Sequence, residues 1–121
     1  MQLPPKAQGK LVRVVRGDIF DVAVDLRPGS NTFCQWVGIQ MTAGEGVQLW
    51  IPPGFAHGYV VLSELGADVA YKATHEYDSG LETGIRWDDP QIGISWPISD
   101  PVLSSKDQKL PSLAESNLRA R

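Results

Sequence analysis

The stretch Ile19-Phe20-Asp21-Val22-Ala23-Val24-Asp25-Leu26 decides the fold class, because its residues alternate with the period of a β-strand. One face of this strand would carry only apolar side chains, from Phe20 to Leu26 at every second position. That face is predicted to lie on a core. The other face mixes apolar residues with Asp21 and Asp25. For this second face the alternation alone favours solvent over the alternative, the lining of a polar ligand cavity.

Short runs of β-forming residues recur along the chain, separated by turn residues such as Gly17-Asp18 and Pro52-Pro53-Gly54. Further strands are predicted at residues 10–16, 35–41, 46–51, 58–63, 68–74 and 83–87. Strands of this length and spacing predict an all-β sandwich or barrel. Closure into a jelly-roll barrel would leave few exposed sheet edges and a cavity inside.

The length and composition fit one domain, residues 1–121, with a modest core. The formal net charge of −3 argues against a nucleic-acid partner, which requires a basic face. No apolar run approaches the ~18 residues that a membrane span needs. The first residues also lack the apolar core of a secretory signal. We therefore expect a cytoplasmic protein that binds neither nucleic acid nor a membrane.

The C-terminal part, from Asp100 onwards, is polar and punctuated by proline, which predicts a short helical or irregular tail packed over the barrel. A helix is predicted over residues 113–119, where Ser112 would be the N-cap and Glu115 would complete a capping box. Cys34 is the single cysteine, which excludes an intrachain disulfide and a cysteine-based zinc site. Its apolar surroundings predict a buried, unreactive thiol.

Several kinds of chemistry are disfavoured by the motifs that the sequence lacks. The two histidines, His57 and His75, do not form a His-x-His pair, so no metal site is predicted. Each histidine alone is more often a structural residue than a functional one. A nucleophilic-serine turn and a glycine-rich phosphate loop are also missing. Acid–base chemistry by Tyr, His, Asp and Lys remains, and it needs no cofactor.

Several motifs, taken together, closely resemble the dTDP-4-dehydrorhamnose 3,5-epimerases. They are QGKLVR at 8–13, GDIFDVAVD at 17–25, QLWIPPGFAHG at 48–58, YKAT at 71–74, IRWDDP at 85–90 with IGI at 92–94, and LSSKD at 103–107. The resemblance runs in register from about residue 2 to residue 113. It implies a cupin-like jelly roll, a homodimer and a cofactor-free site inside the barrel. The implied reaction epimerises C3 and C5 of a dTDP-linked 4-keto-6-deoxy sugar.

The resemblance also implies catalytic roles for three residues. Tyr71 matches the catalytic tyrosine, which is the acid that returns a proton to the sugar. Lys10 matches the lysine near the keto oxygen, where its charge would stabilise an enolate. Asp107 matches the carboxylate that orients the catalytic histidine.

Four further residues match the substrate pocket of the family. His57 and Tyr77 match substrate-contacting positions, and Lys106 matches a basic position near the nucleotide phosphates. Asp21 resembles a supporting carboxylate on the inner face of its strand. In that role Asp21 would line a polar cavity, so the second face of residues 19–26 would face the cavity rather than solvent.

The resemblance has one departure, which lies just ahead of the position of Gln2. Family members carry there the segment Leu-Arg-Gly-Leu-His, whose histidine is the catalytic base. Without it we expect weak or no epimerase activity from these residues, or a base supplied by His57 or His75. A truncated or misassigned start would explain the difference. So would a natural short homologue that acts as a non-catalytic sugar-nucleotide-binding or interaction module. A stable chain is expected to dimerise or to pair its sheet edges in another way.

Overall fold

The computed structural model of the protein describes residues 1–99, 101, 103 and 105–116. This part of the chain contains strands β1 (Lys10–Arg16), β2 (Asp18–Asp25), β3 (Trp36–Thr42), β4 (Gln48–Ile51), β5 (Phe55–Val61) and β6 (Asp68–Ala73). It also contains a 3₁₀ turn, Ser79–Leu81, and one short helix, α1 (Ser105–Gln108). The all-β prediction is confirmed.

The six strands form two antiparallel sheets of three strands each. The first sheet has the order β4-β1-β6, and the second has the order β3-β2-β5. The consecutive strands β1 and β2 therefore lie in different sheets, and the turn at Gly17 joins them. Gly17 has φ of +82°, and a Cβ atom there would come within 2.4 Å of the Gly66 carbonyl oxygen. Only glycine fits this crossing between the sheets.

One apolar core lies between the two sheets. Val12 and Ile51 of the first sheet pack with Ala23 of the second, and all three are buried. Leu49, Phe55 and Val69 pack around them. This cluster identifies the inner face of each strand, because neighbouring residues on paired strands point to the same side of a sheet.

A second core lies on the outer side of the sheet β3-β2-β5. Val22 and Val24 of that sheet, with Leu26 directly after β2, are covered by Ile92 and Leu113 from the C-terminal part of the chain. Because β2 is the central strand, one of its faces lies under this cover and the other faces the first sheet. The expectation of a solvent-exposed second face is therefore wrong: Asp21 and Asp25 are 0% and 1% exposed.

The C-terminal cover is held by hydrogen bonds to Asp89, which is itself buried. One Asp89 carboxylate oxygen accepts bonds from the backbone N–H groups of Gln91 and Ile92, at 2.8 and 3.1 Å. The other accepts a 2.6 Å bond from the N–H of Leu113. Two stretches of irregular backbone that are distant in sequence are thereby joined at one carboxylate.

The strand predicted at residues 83–87 is wrong. Its backbone N–H groups bond to separate segments rather than to one ladder: Thr83 donates to the Met1 carbonyl, and Arg86 donates to the Pro111 carbonyl. These bonds tie the N-terminal segment and the C-terminal cover to residues 83–86. They leave this stretch irregular.

The predicted C-terminal helix is also wrong where the structure describes it. Leu113 begins a turn, and residues 117–119 lie outside the described residues. The capping contacts do form, since the Glu115 N–H donates to Ser112 Oγ and that hydroxyl donates to Glu115 Oε1. A helix nevertheless does not follow as far as Ser116, because the N–H groups of Glu115 and Ser116 bond three residues back, as in turns.

Cys34 is half-buried rather than fully buried. It adopts a left-handed backbone, with φ of 71°, at the end of the loop between β2 and β3. Its N–H donates a 2.7 Å bond to the Asp25 carbonyl, and its side chain packs against the outer core.

Candidate functional site

Lys10 and Tyr71 lie on the inner face of the sheet β4-β1-β6. In the register of that sheet Lys10 is opposite Ile51, and Tyr71 is opposite Val12. Val12 and Ile51 both belong to the core between the sheets, so Lys10 and Tyr71 share their face. The Lys10 Nζ atom lies 5.4 Å from the centre of the Tyr71 ring, within the range of a cation–π contact. An ammonium group and a phenol therefore stand together on one wall of the interior.

His57 and Asp21 lie on the facing wall, which is the inner face of the sheet β3-β2-β5. His57 is opposite Ala23, a residue of the same core, and Asp21 is opposite Tyr59. His57 and Asp21 are thus diagonal neighbours, and His57 Nε2 lies 2.5 Å from Asp21 Oδ1. This contact joins a ring nitrogen to a carboxyl oxygen by one hydrogen bond, which fixes the orientation of the imidazole.

The rigid turn Pro52-Pro53-Gly54 leads into β5, as the sequence indicates, but His57 lies within the strand rather than before it. Its side chain is only 12% exposed. Asp21 is deeper still: its Oδ2 atom is buried and finds no hydrogen-bond partner among the described residues. The pair therefore forms a fixed polar element in this wall.

Tyr59 is a site residue that the sequence analysis missed. It lies on the inner face of β5, and its ring centre is 6.1 Å from that of His57. A signal for it was present, because residues two apart on a strand share a face. Tyr59 is about half exposed, as are Val37 and Ile39 on the same face of β3. The interior is consequently open along this side of the second sheet.

Tyr77 lies outside the strands, in the loop that follows β6. Its side chain is exposed, and its hydroxyl donates a 2.6 Å hydrogen bond to Glu82 Oε2. Glu82 is a second residue that the sequence analysis missed, and no pattern in the sequence marks it. The other histidine, His75, lies in the same loop and is exposed, with its Nδ1 3.3 Å from Thr74 Oγ1.

Asp107 and Lys106 both belong to α1, near the C-terminus. Asp107 is exposed, and its carbonyl accepts a bond from the N–H of Leu110. Gln108 Nε2 donates to the Leu103 carbonyl, 3.1 Å away, which helps to fix the helix. The side chain of Lys106 lies outside the described residues. The roles of Asp107 and Lys106 stay predictions.

Among the residues that the structure describes, no group of three or more His, Cys, Asp or Glu side chains is arranged to hold a metal ion. Within the same residues, no helix has the length and apolar character needed to cross a membrane.

The arrangement is suited to moving protons on and off carbon. One wall supplies a cation that can stabilise a developing negative charge, beside a phenol that can give up a proton. The other wall supplies an imidazole whose orientation a buried carboxylate fixes. Such a set of groups can serve proton abstraction next to a carbonyl.

Comparisons with known proteins point to one family. The sequence profile of the family dTDP-4-dehydrorhamnose 3,5-epimerase matches residues 1–115. A dTDP-4-dehydrorhamnose 3,5-epimerase from Sinorhizobium fredii is 50% identical over 115 residues, which cover 94% of this chain and 58% of the relative.

Solved structures show the same likeness. The crystal structure of dTDP-4-dehydrorhamnose 3,5-epimerase from Elizabethkingia anophelis has a TM-score of 0.92 at 39% identity, covering 97% of this chain and 64% of that one. The epimerase of Legionella pneumophila in complex with dTDP-4-keto-L-rhamnose has a TM-score of 0.88 at 47% identity, covering 94% and 61%. This likeness confirms the predicted cupin-like jelly roll.

The chain spans about three fifths of the length of these relatives. The residues that the family profile matches, 1–115, include both walls of the interior. The chain belongs to the dTDP-4-dehydrorhamnose 3,5-epimerase family.

Proposed function

We propose that this chain serves the epimerisation of dTDP-4-keto-6-deoxyglucose at C3 and C5, in the formation of dTDP-L-rhamnose or a related deoxysugar. The observation that carries the proposal is the placement of Lys10 beside Tyr71 on one inner wall, facing the wall of His57 and Asp21. The relative from Legionella pneumophila, whose structure holds dTDP-4-keto-L-rhamnose, supports the choice of substrate.

The chemistry follows from the 4-keto group of the sugar. The ketone acidifies the C–H bonds at C3 and C5, so a base can remove either proton and leave an enolate. The Lys10 ammonium stabilises the enolate oxygen, which carries the developing charge. Tyr71 then donates its phenolic proton to the same carbon from the opposite face. The base releases the proton that it removed to water, and the phenolate regains a proton from water. Each cycle inverts one centre and consumes no cofactor.

The remaining role in the reaction is that of the base. In the family the base is the histidine of Leu-Arg-Gly-Leu-His, a segment that lies ahead of the position of Gln2. Of the two histidines within these residues, His57 lies in the interior, whereas His75 is exposed in a loop. His57 is therefore the one placed to act on the sugar in an assay of this chain. A site without a dedicated base would react ~10²–10⁴-fold more slowly.

Two finer expectations belong to the same proposal. A homodimer is expected, because β3 is an edge strand whose inner-face residues Val37 and Ile39 are 61% and 38% exposed. A cytoplasmic location is expected for an enzyme that acts on nucleotide sugars. Sedimentation and cell fractionation would test the two expectations separately.

The proposal is tested by following the conversion of dTDP-4-keto-6-deoxyglucose by NMR. The informative variant is Lys10→Met, and the matched control is Lys72→Met. Lys72 lies one residue from Tyr71 on β6, but it is opposite Leu11 and so points to the outer face. We expect slow conversion by the unmodified chain, a loss of ~10²-fold in Lys10→Met and no change in Lys72→Met. Equal rates in all three proteins would refute the assignment.

A further inference from the structure

The buried side chain of Gln2 stands apart from the residues discussed so far. Gln2 is 3% exposed, yet both of its polar atoms are used. Its Nε2 donates to the carbonyl oxygens of Lys6 and Glu76, at 2.7 and 2.9 Å. Its Oε1 accepts a 2.8 Å bond from the N–H of Asp78.

The two bonds to the loop after β6 bracket a single residue. The carbonyl of Glu76 precedes Tyr77, and the N–H of Asp78 follows it. The carboxamide of Gln2 therefore holds the backbone on both sides of Tyr77, as a neighbouring strand would do in a sheet. Only an amide side chain offers the donor and the acceptor that this requires. The side chain of Tyr77, by contrast, is 66% exposed.

The same N-terminal segment also fixes the far end of the loop. Gln2 forms an isolated bridge with Glu82, and the N–H of Leu3 donates a 2.9 Å bond to the Leu81 carbonyl. Glu82 in turn accepts the hydroxyl proton of Tyr77. Gln2 therefore contacts the backbone on both sides of Tyr77 and also pairs with Glu82, the residue that accepts the Tyr77 hydroxyl.

We infer that Gln2 is a positioning residue for Tyr77, which it orients for contact with the sugar nucleotide. The inference rests on the proposed function only for what Tyr77 contacts. A loop without this anchor would leave an exposed tyrosine free to sample many orientations, which weakens any directed contact.

Gln8 provides a matched control. Its Nε2 also donates to a carbonyl of the same loop, that of His75, at 2.7 Å. That bond is exposed and does not flank Tyr77. Gln2→Met removes both bonds around Tyr77 at nearly constant volume, and Gln8→Met removes only the exposed bond. Gln2→Glu, of the same shape, keeps the acceptor for the Asp78 N–H but loses the two donors. Gln2→Glu takes the place of Gln2→Met in the experiments if the methionine variant does not fold.

The first measurement is amide hydrogen exchange. We expect exchange at Asp78 to become at least ~10-fold faster in Gln2→Met, while exchange at Val22 in the central strand and all rates in Gln8→Met stay unchanged. In Gln2→Glu we expect the amide of Asp78 to stay protected, because its acceptor remains. Unchanged protection at Asp78 in Gln2→Met would overturn the inference. Where that variant does not fold, a Tyr77 ring response to the sugar nucleotide that is unchanged in Gln2→Glu would overturn it.

The second measurement follows the tyrosine rings by NMR during titration with dTDP-4-keto-6-deoxyglucose. In Gln2→Met the response of Tyr77 is expected to weaken several-fold, while that of Tyr71 is retained. An equal loss at both rings would mean that Gln2 supports the fold in general, which overturns the inference. If no ring responds in the unmodified chain, the proposed function fails, and the amide exchange still decides the role of Gln2.

Discussion

His57 Nε2 lies 2.5 Å from Oδ1 of Asp21, a carboxylate that is fully buried in the central strand of its sheet. The two residues are 36 positions apart in sequence and meet because β2 and β5 are paired in this register. The strand pairing therefore fixes an imidazole on the inner face of the sheet. Lys10 and Tyr71 lie on the wall that faces this pair.

Asp21→Asn is expected to disturb both the fold and the chemistry. The substitution keeps the shape but replaces the carboxyl group beside His57 by an amide. We expect the free energy of unfolding to fall by about 1–3 kcal/mol, since the buried hydrogen bond between the two side chains is weakened. Residual proton exchange on the sugar should fall by ~10-fold or more.

Urea unfolding and the NMR assay would check the two effects of Asp21→Asn. Asp18→Asn is the control, because Asp18 opens the same strand and lies opposite Thr42, away from His57. A variant at position 21 that matches the control in both measurements would contradict the role assigned to the pair.

Acid stability should depend on Asp25. Charged and polar partners, Arg27 first and then Ser30 and Thr32, hold the pKa of the Asp25 carboxyl well below its usual range. A carboxyl with a depressed folded-state pKa stabilises the fold above its unfolded pKa of about 3.9. This contribution is lost as the pH falls below that value towards the folded-state pKa.

The measurement for Asp25 is urea unfolding at pH 6 and at pH 3. The unmodified chain should lose more stability between these two pH values than Asp25→Asn does. Asp88→Asn is the control, because Asp88 also pairs with an arginine but is exposed, so its pair contributes little. The same pH dependence in the unmodified chain and in Asp25→Asn would show that Asp25 is not responsible.

The C-terminal cover should contribute directly to stability. Leu113 is fully buried against the outer core, and Leu113→Ala should lower the free energy of unfolding by about 2–5 kcal/mol. Leu65 is 89% exposed, so Leu65→Ala should change it by less than about 0.5 kcal/mol. Thermal or urea unfolding compares the two variants. Equal, small effects would mean that residue 113 does not cover the sheet.

The turn between the sheets should admit only glycine. In Gly17→Ala the new Cβ is on a left-handed backbone and also collides with the Gly66 carbonyl oxygen. In Gly44→Ala the backbone is again left-handed, but the new Cβ meets no atom within 4 Å. We expect Gly17→Ala to be about 1–3 kcal/mol less stable than Gly44→Ala. Two equally stable variants, compared by urea unfolding, would argue against the close approach at Gly17.

Most of the strands were predicted correctly from the sequence, because side chains alternate between the two faces of a β-strand with a period of two residues. It predicted the second face of β2 wrongly, since alternation cannot show that a central strand is covered on both sides. The partners of Asp21 and Leu113 are distant in sequence, namely His57 and Asp89. Such contacts come from tertiary structure, and no local pattern reports them.

The candidate site was predictable in part. The family resemblance selected Lys10, Tyr71 and His57, and the register places all three on the inner faces of the sheets. Tyr59 could have been found from its position two residues after His57. Gln2 could not have been found, because its importance lies in three backbone partners that the fold brings to it.

The most direct test of the central claim is the incorporation of solvent deuterium into dTDP-4-keto-6-deoxyglucose by the unmodified chain and by His57→Gln, followed by NMR. This measurement detects proton removal even where no net epimerisation accumulates. The account predicts slow exchange at C3 or C5, above the rate in buffer, that is lost in His57→Gln and kept in His75→Gln. Exchange that persists in His57→Gln, or no exchange above the buffer rate by the unmodified chain, would contradict it.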